Sequence, residues 1–389
     1  MRMPTHWQEA QLRDVASADA PIGYGIVQPG RYERDGIPVI AIRDLPTPSI
    51  DKVHRSALSV EAAYRRSRVH GGDILISVKG TTGRIGLVPE EFVGNISRDV
   101  ARLRLRGVHD PAYWFQMLQF SLAQQTLQQA AVGSTRQELS IGTLKLLSFQ
   151  FPDRREQERV AAMLSDVDDL IATLERGLTK KQAVSAGMQQ QLLSGKARLP
   201  GFVKPWVERQ ISDIASIAKG AQLGRASMDA AQPVPVWNGG VEPSGYTSTP
   251  NVRRAVVTVS EGGNSCGWVG RPEGDFWLGG HCYALDSRNE GHTVGFLYHR
   301  LKSVQPKIMG LRVGSGLPNI QKKRLAEFGV SVPTDPREAA ALTAVLDDAD
   351  SEVRLLHFRL TKALTVKNGM MQQLLTGRTR LPALDEVSA

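Results

Sequence analysis

The stretch Met188 to Phe202, MQQQLLSGKARLPGF, returns almost intact as MMQQLLTGRTRLPAL, Met370 to Leu384. A repeat governs architecture before any local propensity does. The offset of 182 residues from Met188 to Met370 holds backwards without a gap. Arg155-Glu156 falls on Arg337-Glu338, Leu164 on Leu346, Asp166 on Asp348 and Asp168 on Asp350. Leu174, Leu178, Lys180 and Gly187 fall on Leu356, Leu360, Lys362 and Gly369.

Within each copy the apolar residues step by four and three. The first copy runs Val160, Leu164, Val167, Ile171, Leu174, Leu178, and on to Met188 and Leu192. The second runs Leu342, Leu346, Ala349, Val353, Leu356, Leu360, Ala363, and on to Met370 and Leu374. An average spacing of about 3.5 places them on one stripe, as in the seam of a coiled coil. Pro152 and Pro333 stand just upstream and Gly195 and Gly377 just downstream, the usual punctuation of a helix. Each helix should span roughly 38 residues, or about 57 Å. An exposed stripe of that length invites aggregation. Antiparallel pairing of the two helices inside the chain removes it, and so would a bundle or a homodimeric zipper.

The segments before the helices also correspond, more faintly. WQEAQLRDVAS, from Trp7, faces WVERQISDIAS, from Trp206. GDILISVKGTTGRIGLV, Gly72 to Val88, faces RAVVTVSEGGNSCGWV, Arg254 to Val269; both read as strand, Gly-rich turn and strand. GSTRQELS, from Gly133, faces GSGLPNIQ, from Gly314. Residues 112–131, with Tyr113, Trp114, Phe115, Leu118, Leu122 and Leu127, carry a helical pattern. The expected fold class is α+β: two globular α/β domains, 1–152 and 200–334, alternate with long helices at 153–199 and 335–382, followed by a tail at 383–389.

Charge separates these parts. The chain carries +9 overall; residues 1–152 hold 18 Lys+Arg against 14 Asp+Glu, and residues 200–333 hold 15 against 10. The basic excess therefore sits in the globular parts, as expected if they meet nucleic acid and the helices meet protein. Only Cys266 and Cys282 are present, too few for a disulfide framework, and His281-Cys282 lacks partners at zinc-finger spacing. The N-terminus MRMPTHWQEAQLRDV has no signal-peptide apolar stretch, and no apolar run approaches ~18 residues, so a cytoplasmic protein without membrane spans is expected.

Two divergent domains, each followed by a similar helix ending in QQLL-[ST]-G-[KR]-x-R, resemble the DNA-specificity subunit of type I restriction-modification systems. The resemblance spans nearly the whole chain; GDILISVKGTTGRIGLV and GSTRQELS also look like family features. GSGLPNIQ keeps the Gly-Ser start but not the Thr-Arg-Gln. The resemblance implies two target-recognition domains, one for each half of a split, asymmetric double-stranded DNA site. It implies that the helices set the gap and dock two methyltransferase subunits, with restriction/translocase subunits joining. S-adenosylmethionine, ATP and Mg would then belong to the partners, with no cofactor on this chain.

The residues agree with a non-catalytic role. No Asn-Pro-Pro-Tyr/Phe or Asp-Pro-Pro-Tyr run and no GxxxxGK[ST] loop occurs. KGTTGRIG lacks the strand-then-helix setting of a dinucleotide fold and reads as a hairpin loop.

The candidate DNA contacts of the first domain are Lys79, Thr81, Thr82 and Arg84 on the Gly-rich turn, and Thr135, Arg136 and Gln137 on the loop after the aromatic helix. Arg and Gln can each make two hydrogen bonds to one base, although solvated surface arginines are equally ordinary. In the second domain the candidates are Asn264, Asn319, Gln321, Lys322, Lys323 and Arg324, the basic trio suiting phosphate better than base edges. Arg104, in the alternating LRLR run, reads equally as exposed strand face. Trp237, Trp268 and Trp277 could stack on bases, but tryptophans in strand-rich domains are more often core. Two alternatives stay open: a specificity protein for a related system that cuts on both sides of its site, and a coiled-coil adaptor whose basic domains bind protein.

Overall fold

A computed structural model describes residues 4–46, 48, 51–133, 137–287, 293–314 and 316–381. By its internal contacts the chain divides into two units. One joins the residues up to Leu174 with those from Arg359 onward; the other is Glu175–Phe358. The units cut across the four sequential segments, because each takes in part of both long helices.

The first unit is built on a run buried on both faces. In the strand Ile74–Ser77, Ile74 and Ile76 join a large core with Ala101, Leu103 and Trp114, while Leu75 joins a smaller one with Ile40, Phe92 and Val100. Two covered faces are the reason the run is continuously apolar rather than alternating. The sheet order is Gly23–Tyr24, Val100–Leu103, Ile74–Ser77, Ile85–Leu87, antiparallel throughout. A second sheet sets Ile37–Ile40 between His54–Ser56 and the parallel Asn95–Ile96, and Gln8–Gln11 pairs with Ser148–Phe151.

The second unit repeats this plan strand for strand. Its four-stranded sheet runs Ala215–Lys219, Cys282–Ser287, Val257–Ser260, Val269–Gly270. Val234–Trp237 lies between Tyr246–Thr247 and the parallel Trp277–Leu278, and Trp206–Gln210 pairs with Gly329–Pro333. The duplication therefore holds for these three sheets even where the side chains have diverged.

One expectation needs amending. The helical pattern over 112–131 is two helices, Pro111–Gln119 and Ser121–Ala130, parted at Phe120, whose ψ of 146° is extended. The break lets Gln124 Nε2 donate to Leu118 O at 2.6 Å, as well as to Gly83 O at 2.9 Å. A single pattern of apolar residues runs through both pieces, so periodicity alone does not reveal the corner.

The long helices are Arg154–Leu193 and Pro336–Leu374. Both start on an aspartate: Asp153 Oδ1 accepts from Glu156 N at 2.9 Å and Asp335 Oδ1 from Arg337 N at 3.0 Å, satisfying first-turn N–H groups. Both stop on a left-handed glycine, Gly195 at φ +72° and Gly377 at φ +65°, a conformation that glycine adopts without strain. The helical segments are shorter than 153–199 and 335–382, because the chain leaves the helix before these glycines.

Within each unit the helix portions pair antiparallel. In the first, Lys367 Nζ lies 2.6 Å from Asp168 Oδ1, and Val160 and Leu164 share a core with Met371 and Leu374. In the second, Gln189 Nε2 donates to Asp350 Oδ1 at 3.1 Å, Lys181 pairs with Glu352, and Leu192 shares a core with Leu342 and Leu346. Rising numbers on one helix meet falling numbers on the other. Val160, Leu164, Ile171, Leu178, Leu342, Leu346 and Leu374 are buried, and Val167, Leu174, Val353, Leu356 and Leu360 are half-buried.

The Asp335 cap carries a pH signature. Hydrogen bonds from the Arg337 side chain hold its carboxyl at about 2, below the usual 3.8. A depressed folded-state pKa gives stability that is complete above the unfolded value and is lost as pH falls through the folded one. Melting temperature should therefore decline between about pH 4 and pH 2, and Asp335→Ala should flatten that part of the profile. An unchanged slope in the variant would remove Asp335 from the acid response.

Candidate nucleic-acid interface

The Gly-rich turn of the first unit is held from below. Ser77, at the end of its buried strand, donates its hydroxyl to Thr81 O at 2.5 Å and accepts from Arg84 N at 2.8 Å, while Gly83 N reaches Ser77 O at 2.9 Å. The turn needs φ of +75° at Gly80 and +83° at Gly83, a region that side chains with a Cβ rarely enter. Its tip is thus fixed by backbone while Thr81 and Arg84 stay exposed.

Two segments far apart in sequence meet at this turn. Lys79–Gly80 pairs antiparallel with Gln137–Glu138, Gln137 opposite Gly80. Thr82 Oγ1 donates to Gln137 Oε1 at 3.2 Å, and Lys79 Nζ lies 3.0 Å from Glu138 Oε1. Lys79, Thr81, Thr82, Arg84 and Gln137 therefore form one surface. Arg84 is partly committed, since its Nη2 donates to Leu45 O at 2.8 Å. Thr135 and Arg136 lie outside the described residues.

The second unit carries the same scaffold. Gly267 N bonds Ser260 O at 2.9 Å, as Gly83 N bonds Ser77 O, and Gly263 and Gly267 stand at φ +78° and +87°. Ile320 N bonds Glu261 O at 2.8 Å, as Leu139 N bonds Val78 O at 2.8 Å. Asn319 bridges to Gly262 and to Val313, so the loop again lies on the turn. Asn264, Asn319, Gln321, Lys322, Lys323 and Arg324 are all exposed. The short helix Lys322–Ala326 presents its basic trio to solvent while Leu325 anchors it.

A cleft of about 480 Å³ adjoins the first turn, lined by Thr81, Thr82, Arg84, Gln119, Gln124 and Gln128 among others. The turn therefore faces three glutamine amides: Gln124 Nε2 is committed to Gly83 O and Leu118 O, Gln119 Nε2 donates to Phe115 O at 3.2 Å, and Gln128 is exposed.

The family model for the type I restriction modification DNA specificity domain matches residues 4–183 and again 203–365. The chain belongs to this family. Specificity subunits are the non-catalytic, DNA-recognition components of type I systems, and this chain is one of them. It is 28% identical to the EcoBI specificity subunit of Escherichia coli over 49% of this chain and 41% of that one. It is 22% identical to the putative MjaX specificity subunit of Methanocaldococcus jannaschii over 97% of this chain and 95% of that one. In fold it is similar to the type I S subunit of M. genitalium, with a TM-score of 0.75 at 17% identity, covering 96% of this chain and 98% of the other.

Other basic residues of this specificity subunit turn out to be structural. Arg102 is buried and donates to Arg66 O, Arg68 O and Pro21 O, and burial pushes its pKa down. Arg104 is no simple exposed face: Nε and Nη2 each lie 2.7 Å from Asp73, and those bonds raise its pKa. Trp268 has Lys302 Nζ 3.4 Å over its ring, and burial lowers that amine to about 8. Trp237 and Trp277 are half-buried, and Trp277 Nε1 donates to Ala221 O. Cys266 and Cys282 are free and buried, burial raising the Cys282 thiol to about 12. No cluster of metal-ligating side chains occurs among the described residues. No helix among them is long and apolar enough to cross a membrane.

Gln119, Gln124 and Gln128 line the cleft beside the turn, and the sequence reading did not single them out. Their signal was the run QFSLAQQTLQQ, in which Gln124 and Gln128 share a helix face at a spacing of four. Without the corner at Phe120 nothing in the sequence aims that face at the Gly-rich turn.

Proposed function

We propose that this specificity subunit binds a bipartite, asymmetric double-stranded DNA site, each unit reading one half through its Gly-rich turn and the loop laid on it. The observation that carries the reading is the twofold occurrence of that turn-and-loop scaffold within two matches to a DNA-specificity family. In the first unit Lys79, Thr81, Thr82, Arg84, Thr135, Arg136 and Gln137 contact DNA. In the second, Asn264, Asn319 and Gln321 face bases while Lys322, Lys323 and Arg324 hold phosphate. The long helices set the gap between half-sites and dock two methyltransferase subunits and the restriction/translocase subunits. S-adenosylmethionine, ATP and Mg act on those partners. Exposed apolar side chains on the helices, such as Leu170, Leu355 and Phe358, support a protein-docking role.

The test is equilibrium binding of the purified chain to duplex DNA over a salt series, alongside an assay for methyl transfer. The expected result is affinity falling linearly in log–log form with salt, with methyl transfer only after partner subunits are added. Lys322→Ala should weaken binding across all sequences and reduce the salt slope by about one. Arg84→Ala should relax one half-site and leave the other intact, a lost bidentate contact costing about 1–3 kcal/mol. Salt-insensitive binding, or none, would favour the adaptor reading.

A further inference from the structure

We infer that Leu317 contacts the 5-methyl group of a thymine in the half-site taken by the second unit. The inference rests on the DNA-reading role proposed above and assigns a chemistry to one position within it.

The two reading loops have equivalent closures and opposite tips. Gly133 at φ +113° and Gly314 at φ +96° open them, and the bridges Val132–Glu138 and Val313–Asn319 close them. Between those closures, position for position, Thr135-Arg136-Gln137 of the first loop becomes Gly316-Leu317-Pro318 in the second. Three side chains that can hydrogen-bond give way to three that cannot. The tip Gly316-Leu317-Pro318 has no side-chain donor or acceptor with which to read a base, whatever Asn319 and Gln321 do beside it.

Leu317 has the position for another mode of reading. It is 86% exposed, against 0% for the neighbouring Ile320, which anchors the loop in the core. Gly263 N donates to Pro318 O at 3.0 Å, tying the tip to the turn that carries Asn264. A Cβ on Gly316 would meet nothing within 4 Å, so the tip stands clear of the fold. Isolated exposed leucines are common on protein surfaces; this one is set apart by its surroundings. Asn264, Asn319, Gln321 and the trio Lys322-Lys323-Arg324, all exposed, surround its loop in sequence or through the turn. Such a polar, basic frame suits DNA better than an apolar protein partner. Of the groups presented in the major groove, the thymine methyl is the apolar one.

The experiment compares the full chain carrying Leu317→Ala with the unaltered chain and with Leu317→Met, which keeps an apolar contact. Because Leu317 is exposed, all three should melt alike. Methylation mapping in cells supplied with the partner subunits gives the sites of each. Purified chain is then titrated against the mapped duplex with thymine or uracil at the affected position. Leu317→Ala should relax a single T·A pair in one half-site, with Leu317→Met retaining it. Uracil should weaken the unaltered chain about fourfold, the effect of burying one methyl-sized group, and leave Leu317→Ala unaffected. An unchanged motif, a relaxed position other than T·A, or equal uracil effects on both chains would overturn the assignment. Uniformly reduced methylation with an intact motif would place Leu317 against a protein partner and also overturn it. If the unaltered chain shows no salt-dependent affinity for DNA, the DNA reading itself fails, a result distinct from any of these.

Discussion

Inserting four residues after Leu178, and four more after Leu356 on the facing helix, should lengthen the recognised gap by one to two base pairs and leave both half-sites unchanged. The two sites follow from the antiparallel pairing: Lys181 meets Glu352 and Asp168 meets Lys367, so positions near 178 and 357 face each other. An insertion in one helix alone would slip the seam, whereas matched insertions keep Leu164 with Leu374 and Leu192 with Leu342. Four residues add about 6 Å of rise and roughly 40° beyond a full turn. One base pair adds about 3.4 Å, and roughly 35° follows from ~10–10.5 pairs per turn. The rotation matches one pair and the translation lies between one and two. Coiled coils absorb a four-residue stutter by local unwinding, so activity should survive. Remapping methylated sites in cells carrying the double insertion measures the gap. An unchanged gap at full activity would mean that the helices do not set it.

Trp114→Ala should be among the most damaging single substitutions in the first unit, by about 3–5 kcal/mol. Its side chain is fully buried, with the rings of His109, Phe149 and Phe151 at 5.8, 6.5 and 5.0 Å. It shares a core with Ile74 and Ile76, the strand that ends at Ser77 beneath the Gly-rich turn. Loss of the indole leaves a cavity that the aromatic ring set cannot close. The second unit has its own core around Val257, Val259, Phe296 and Leu297. Hydrogen exchange should therefore rise sharply in Ile74–Ser77 while Val257–Ser260 stays protected. Equal loss of protection in both strands would show that the two cores unfold together.

The long helices were legible because their information is local and repeated. A four-three alternation of apolar residues, a proline before and a glycine after need no distant partner to be read. The Asp153 and Asp335 caps occupy equivalent places in the two repeats and were open to the same reading. The strand, turn and strand around Gly83 and Gly267 were legible for the same reason. What lay beyond reach depends on contacts across the fold. Arg102 and Arg104 look alike in an alternating strand, yet one donates to three backbone carbonyls and the other is clamped by Asp73. Beyond the corner at Phe120, Gln124 donates to Gly83 of the Gly-rich turn, a contact that only the folded chain shows. The two halves of the first candidate surface were chosen separately, by turn or loop position and side-chain chemistry, and the pairing of Gln137 with Gly80 is the long-range contact that joins them.

The most direct test of the account is single-molecule mapping of adenine methylation in the host genome, with this chain present, deleted and restored. The account predicts one bipartite motif, two short half-sites separated by a fixed gap, which disappears on deletion and returns on restoration. Methylation that persists unchanged without the chain would contradict it.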